Sequence, residues 1–199
     1  MTFLGLSAPN QFFWALIGLF LTIGSTFIEA FMTNPPWNWG NEGIQFQSLG
    51  VTYQIGAVLL TGCVGGKNAA LLAQVAYLVI GLKFLPVFSQ GGGLNYYQQP
   101  AFGYLIGFIP GAWLCGWLAF RYRATLEVLT LSCLSGLLVI HSVGILYLLG
   151  LSLTNPPNIR WLSFLGSVQV YSLNVLPGQL VLICVVSVLA FLLRKILFY

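Results

Sequence analysis

The sequence predicts an all-α integral membrane protein, with six transmembrane helices in one bundle forming a single domain over residues 1–199. Two observations carry this. The first is composition: 58% of residues are hydrophobic and 5% charged, with three acids and seven bases, whereas a soluble domain carries roughly a quarter charged residues. So few charges cannot cover a water-facing surface, and the surface must face lipid. The second is the apolar runs, which recur at close to the 20 or so residues that a helix needs to cross the hydrocarbon core.

Each span follows in order. Residues 11–32 are apolar up to Glu29 and form the first span; this run lacks a basic start, so it reads as a retained helix rather than a cleaved signal peptide. Residues 33–47 combine two prolines with Trp37 and Trp39, which is loop chemistry with aromatics suited to the membrane–water interface. The second span is 48–64, Gly65 to Asn68 make a tight turn, and 69–85 is the third span. Residues 86–99 hold a glycine triplet followed by amides and tyrosines, and 100–120 is the fourth span, ended by Arg121 and Arg123. The fifth span is 125–150, residues 151–170 form a second polar, aromatic connection with Asn155, Pro156, Pro157, Arg160 and Trp161, and 173–193 is the sixth span, closed by Arg194 and Lys195.

Charge sets the orientation. Lys67, Arg121, Arg123, Arg194 and Lys195 share one side, and short cytoplasmic loops collect Lys and Arg, so both termini are expected in the cytoplasm. The three polar connections then fall on the outer face. The even-numbered spans begin there, with Pro100 on the fourth and Pro177 on the sixth. Proline suits a first helical turn because its missing N–H has no intrahelical partner there, and the free N–H groups favour an anion.

Around those starts stand Asn95, Tyr96, Tyr97, Gln98, Gln99, Asn174 and Gln179. Side-chain amides both donate and accept, which suits a neutral ureido or amide group, and the rings supply apolar walls. The expectation is a pocket for a small molecule with a neutral polar head and an apolar body. A carboxylate on it would meet Lys83 or Arg160. A plain loop between two helices is the competing reading of the same residues.

Other chemistry is scarce. The four cysteines, Cys63, Cys115, Cys133 and Cys184, lie in or beside apolar runs without CxxC spacing, so neither disulfide nor metal is expected. One histidine, no aspartate and three separated glutamates are too poor an inventory for an intramembrane enzyme. His141 reads as interior packing with one hydrogen bond, and Glu29 as an interfacial residue able to pair with Lys83 or Arg160. There is no phosphate-binding GxxxxGK[ST] motif, so any ATP must be hydrolysed by other chains. No cofactor and no nucleic-acid partner is expected.

The segments IQFQSLGV (44–51), LTGCVGGKNAALLAQVAYLVIGLKFLPVF (60–88) and GGGLNYYQQPAFGYLIGF (91–108), in this order, resemble the BioY family. These are the biotin-binding S components of energy-coupling factor transporters. LSGLLVIHSVGILYL (134–148) and VLPGQL (175–180) extend the likeness more weakly. The resemblance implies a six-helix fold that captures biotin at the outer face and delivers it to the cytoplasm. A membrane coupling subunit and two ATPase subunits would serve as partners. It places Asn95 at a biotin-contacting position, with Gln47, Tyr104 and Gln179 at other motif positions near the pocket. Tyr96, Gln99, Lys83 and Arg160 complete the candidate set.

Two departures stand out. The family's PGDLxK motif is PGQLVL here, so Gln179 and Leu182 replace an acid and a lysine that help bind biotin. Losing both together avoids leaving one charge unpaired at membrane depth. The family's AxxxA docking surface on the first helix is replaced by Ala15, Gly18 and Thr22, of which Gly18 and Thr22 still allow close helix approach. The alternatives are an S component for another small amide-bearing vitamin and a membrane scaffold that transports nothing.

Overall fold

The computed structural model describes residues 8–154 and 164–197. Helix α1 covers Ala8–Thr26, and its buried residues Ala15, Gly18, Leu19, Thr22 and Thr26 recur at helical spacing, so one stripe packs inward. Phe12, Phe13 and Phe20 face outward.

The first span does not continue to residue 32. From Glu29 the chain is strand: β1 (Glu29–Thr33) pairs antiparallel with β2 (Phe46–Thr52), Phe31 opposite Ser48 and Met32 opposite Gln47. A short apolar run has no periodicity that separates strand from helix, and the prolines at 35 and 36 stop a helix from running on through them. Between the strands lie a 3-10 turn, Pro36–Asn38, and a helical turn, α2 (Trp39–Glu42). Asn34 ties this connection together, donating to the Gly43 carbonyl at 3.0 Å and accepting from the Gln45 N–H at 3.1 Å.

Because β2 takes residues up to Thr52, the second helix starts at Gln54 rather than at 48. Helix α3 runs over Gln54–Lys83 with one break, at Gly66 (φ 78°, ψ 175°), a conformation that glycine alone enters freely. The chain reverses there. Before the break, Gly65 lies against Trp14 and Thr61 against Gly18; after it, Asn68 bonds Gln11 and Gln74 bonds Thr22. The two arms of α3 therefore run in opposite directions along α1, and the tight turn expected at residues 65–68 is this reversal.

Helix α4 (Phe102–Arg121) packs between α3 and α5 (Leu126–Leu153). The last helical stretch extends over Phe164–Leu197, with a π-helical turn at Gln169–Leu173 and the regular helix α6 at Leu176–Leu197. Four helices among the described residues are long and apolar enough to cross a membrane: α3, α4, α5 and Phe164–Leu197. The expectation was six; α1 yields its last apolar residues to the hairpin, and the arms about Gly66 join in one element. Leu131, Leu138 and Leu146 on α5 and Leu192 and Ile196 on α6 are exposed, giving the apolar exterior of a multi-pass membrane protein.

Lys67, Arg121 and Arg194 gather at one end. Gly116 of α4 sits against the backbone of Lys67, Arg121 ends α4, and Arg194 donates to the Ala119 carbonyl at 2.6 Å, its guanidinium 4.3 Å from the Phe120 ring. At 1.5 Å per residue this end lies about 30 Å from the start of α4.

Candidate functional site: a polar cavity at the starts of three helices

The opposite end holds a cavity of about 220 Å³, formed where α3, α4 and α6 begin. Gln54 enters from α3, Tyr104 from α4 and Gln179 from α6, with Thr52 of β2, Ser89, Gln90, Tyr96 and Tyr171 completing its polar wall. Among the described residues, no charged side chain lines it.

Local structure places each group. The hairpin is seated on the start of α6 because Gly178 has no side chain: a Cβ there would stand 2.5 Å from the Leu49 carbonyl oxygen and 2.9 Å from Val51. Pro177 falls in the first turn of α6 as its sequence position implies, whereas α4 starts at Phe102, beyond Pro100. An aromatic series holds the loop before α4 onto the bundle, with ring centroids 5.3 Å apart for Tyr77–Phe88, 4.7 Å for Phe88–Tyr96 and 6.3 Å for Tyr96–Phe102. Tyr96 lies in the 3-10 turn Leu94–Gln98, is 4% exposed, and its hydroxyl has no partner at hydrogen-bonding geometry. Burial pushes this hydroxyl's pKa up, with Ser89 and Gln90 opposing the shift.

A hydrogen-bonded series backs the cavity wall. Tyr104 Oη lies 2.6 Å from Ser172 Oγ, Ser172 Oγ 3.0 Å from His141 Nδ1, and His141 Nε2 2.7 Å from Gln179 Oε1. On the other side, the Gln54 amide donates to Tyr77 Oη at 2.9 Å, and that hydroxyl donates to the Val87 carbonyl at 3.1 Å.

Of the residues singled out from sequence, Tyr96, Tyr104 and Gln179 meet at the cavity. Gln47, Asn95, Gln99 and Lys83 are exposed and are not among its lining residues. Gln47 stands opposite Met32 on the exposed hairpin, whereas Val51 is the hairpin residue buried at the cavity. Arg160, with Asn155, Pro156, Pro157 and Trp161, lies outside the described residues. Glu29 accepts from Ser48 across the hairpin instead of meeting Lys83. Ala15, Gly18 and Thr22 are buried, with Gly18 pressed on Thr61, so this face of α1 is occupied by the chain's own α3 and is not an open docking surface. Leu182 is 3% exposed in an apolar cluster with Ala30 and Val51.

Sequence reasoning missed Gln54 and Ser172 and gave His141 one partner where it has two. Gln54 carried a legible signal, an amide inside an apolar run. Ser172 carried none. Sequence reasoning did not foresee that three of the cysteines meet: the buried thiols Cys63, Cys115 and Cys133 converge across α3, α4 and α5, with Cys63 Sγ 3.6 Å from Cys115 and 3.5 Å from Cys133. Cys115 also donates to the Leu59 carbonyl.

Fold and site together define a multi-pass helical membrane protein with an uncharged, polar cavity at the end opposite Lys67, Arg121 and Arg194. The chain belongs to the BioY family, whose pattern matches residues 39–198. Curated relatives in this family are named as biotin transporters, a transport role rather than an enzymatic one. The chain is 34% identical over 185 residues to an uncharacterized 21.2 kDa protein of Cyanophora paradoxa from the psbX-ycf33 intergenic region, covering 92% of this chain and 94% of that one. It is 38% identical over 137 residues to the biotin transporter BioY of Rhodobacter capsulatus, covering 66% of each. Its fold is similar to the crystal structure of the S component for biotin from an ECF-type ABC transporter, with a TM-score of 0.64, 20% identity, and coverage of 94% of this chain and 91% of that one.

Proposed function

We propose that this protein is the substrate-binding subunit of a vitamin uptake transporter, capturing biotin at the outer face for delivery to the cytoplasm. The observation that carries this reading is the cavity: uncharged, amide-bearing, and lined by the first turns of helices whose other ends reach the basic end of the bundle. With the two arms of α3 counted separately, the chain crosses the membrane six times. The basic end is cytoplasmic by the distribution of Lys and Arg, which turns the cavity outward.

Gln54, Tyr96, Tyr104 and Gln179 hold the ureido head. Asn95, Gln99 and Gln47 form the rim, and Lys83 or Arg160 meets the carboxylate. A membrane coupling subunit and two ATPase subunits supply the energy, since release requires a force that this chain does not generate. Calorimetry of the purified protein with biotin tests the reading. Heat of binding with a matching thermal shift is expected; absence of both rejects biotin as the ligand.

Gln179 and Leu182 support a second reading, an S component for another small amide-bearing vitamin. An amide gives a hydrogen bond without the charge assistance of a carboxylate. Paired substitution Gln179→Asp with Leu182→Lys separates the two: a large gain in biotin affinity favours the second reading, and no gain favours the first.

A further inference from the structure

Polar groups in an enclosed cavity select a ligand by which of them donate and which accept. With the oxygen of the Gln179 amide turned toward His141, the hydrogen-bonded series behind the cavity has one consistent set of proton positions, and these fix the roles. His141 Nε2 faces the oxygen of the Gln179 amide at 2.7 Å. An amide oxygen only accepts, so Nε2 must carry a hydrogen. In neutral imidazole Nδ1 is then bare and accepts from the Ser172 hydroxyl at 3.0 Å. Ser172 Oγ, its proton used, accepts in turn from the Tyr104 hydroxyl at 2.6 Å. The opposite tautomer would set a bare Nε2 against the amide oxygen, two acceptors at hydrogen-bond distance. A charged imidazolium would be unpaired in a site 8% exposed.

We infer that His141 is a positioning residue that turns the Gln179 amide so that its NH2 faces the cavity, making that wall a donor for a ligand carbonyl oxygen. This rests on the small-molecule site proposed above and adds its polarity. Gln54 has the complementary setting. One N–H of its amide donates to Tyr77, which holds the amide in place and leaves its oxygen an available acceptor beside the cavity that it lines. Tyr104, having given its proton to Ser172, presents a lone pair. The cavity thus offers one fixed donor and two fixed acceptors. Its match is a group in which a carbonyl oxygen stands beside N–H donors, as in a urea or a secondary amide. A head group that replaces this oxygen with a donor meets donor against donor.

The test compares biotin with 2-iminobiotin, whose carbonyl oxygen is replaced by an imino nitrogen, in calorimetric titrations of the detergent-purified protein. The wild type is expected to prefer biotin by about tenfold or more, the scale of one mispaired hydrogen bond. His141→Phe frees the amide to rotate, and the preference should collapse toward parity, mostly through weaker biotin binding. Gln179→Glu puts an acceptor at the same point, and the preference should reverse; this variant keeps the test decisive should His141→Phe fail to fold. A wild type that binds both ligands equally, or a preference unchanged in folded His141→Phe or in Gln179→Glu, overturns the inference and leaves the proposed function standing. A wild type that binds neither ligand overturns both.

Discussion

Gln54 and Tyr77, separated by 23 positions in the chain, are joined by a hydrogen bond from the amide of one to the hydroxyl of the other. That bond bridges the two arms of α3 at the end away from Gly66, and the Tyr77 hydroxyl passes the connection on to the Val87 carbonyl. One residue thereby serves the fold and the cavity at once: its nitrogen closes the hairpin of α3 and its oxygen is left for the ligand.

Replacement Gln54→Leu should therefore cost both properties. The Tyr77 hydroxyl loses a donor within a buried setting, worth about 1–3 kcal/mol, and the cavity loses an acceptor. Thermal unfolding in detergent should show a lower midpoint, and biotin titration an affinity reduced about tenfold or more. An unchanged affinity would remove Gln54 from the site.

Gly66 sits at φ 78°, where a Cβ is strained by about 1–3 kcal/mol. Gly66→Ala should lower the unfolding midpoint while leaving the affinity of the folded fraction intact, because the turn lies at the end of the bundle away from the cavity. Loss of affinity in a fully folded sample would show that the arms of α3 move as the ligand binds.

Tyr96 offers the opposite contrast. Its hydroxyl is buried and lacks a partner, so Tyr96→Phe should leave the midpoint unchanged or raise it while weakening biotin binding. Burial raises this group's pKa above the ordinary tyrosine value, which keeps the neutral, donating form through and beyond neutral pH. Binding should accordingly hold steady from about pH 6 to 9 and fail only above the usual tyrosine range near 10. A titration step near neutrality that disappears in Tyr96→Phe would contradict this.

Gly178→Ala should unseat the β1–β2 hairpin, since the added methyl would meet the Leu49 carbonyl oxygen at 2.5 Å. Val51 and Thr52, which line the cavity, would shift with it. The expected signature is faster ligand dissociation, read by stopped-flow, with helix content preserved in circular dichroism.

Orientation has its own check. Alkaline phosphatase fused to the C-terminus should be inactive in cells, as the basic end requires if it lies in the cytoplasm. Activity from that fusion would place the cavity on the inner face and overturn the uptake direction.

Composition and local signals determined a good deal. Three acids and seven bases in 199 residues compel a lipid-facing protein. The glycines at 65 and 66 marked the reversal in α3, Pro177 marked the first turn of α6, and the ordered segments between 44 and 108 identified the family. Tyr96, Tyr104 and Gln179 could be named because motif and helix start coincide on them.

The remainder was decided only by tertiary structure. His141 and Gln179 are 38 residues apart, and Cys63 and Cys133 are 70 apart; nothing local states how each helix is rotated about its axis. In a soluble protein the apolar stripe would reveal that rotation. In a membrane the lipid-facing side is as apolar as the core, so the stripe fades and close packing of small residues takes over the choice. For the same reason an apolar stretch such as residues 27–32 carries no mark of strand against helix. Its pairing with β2, and hence the placing of the wall that β2 lends to the cavity, exists only once the hairpin has folded back onto Gly178.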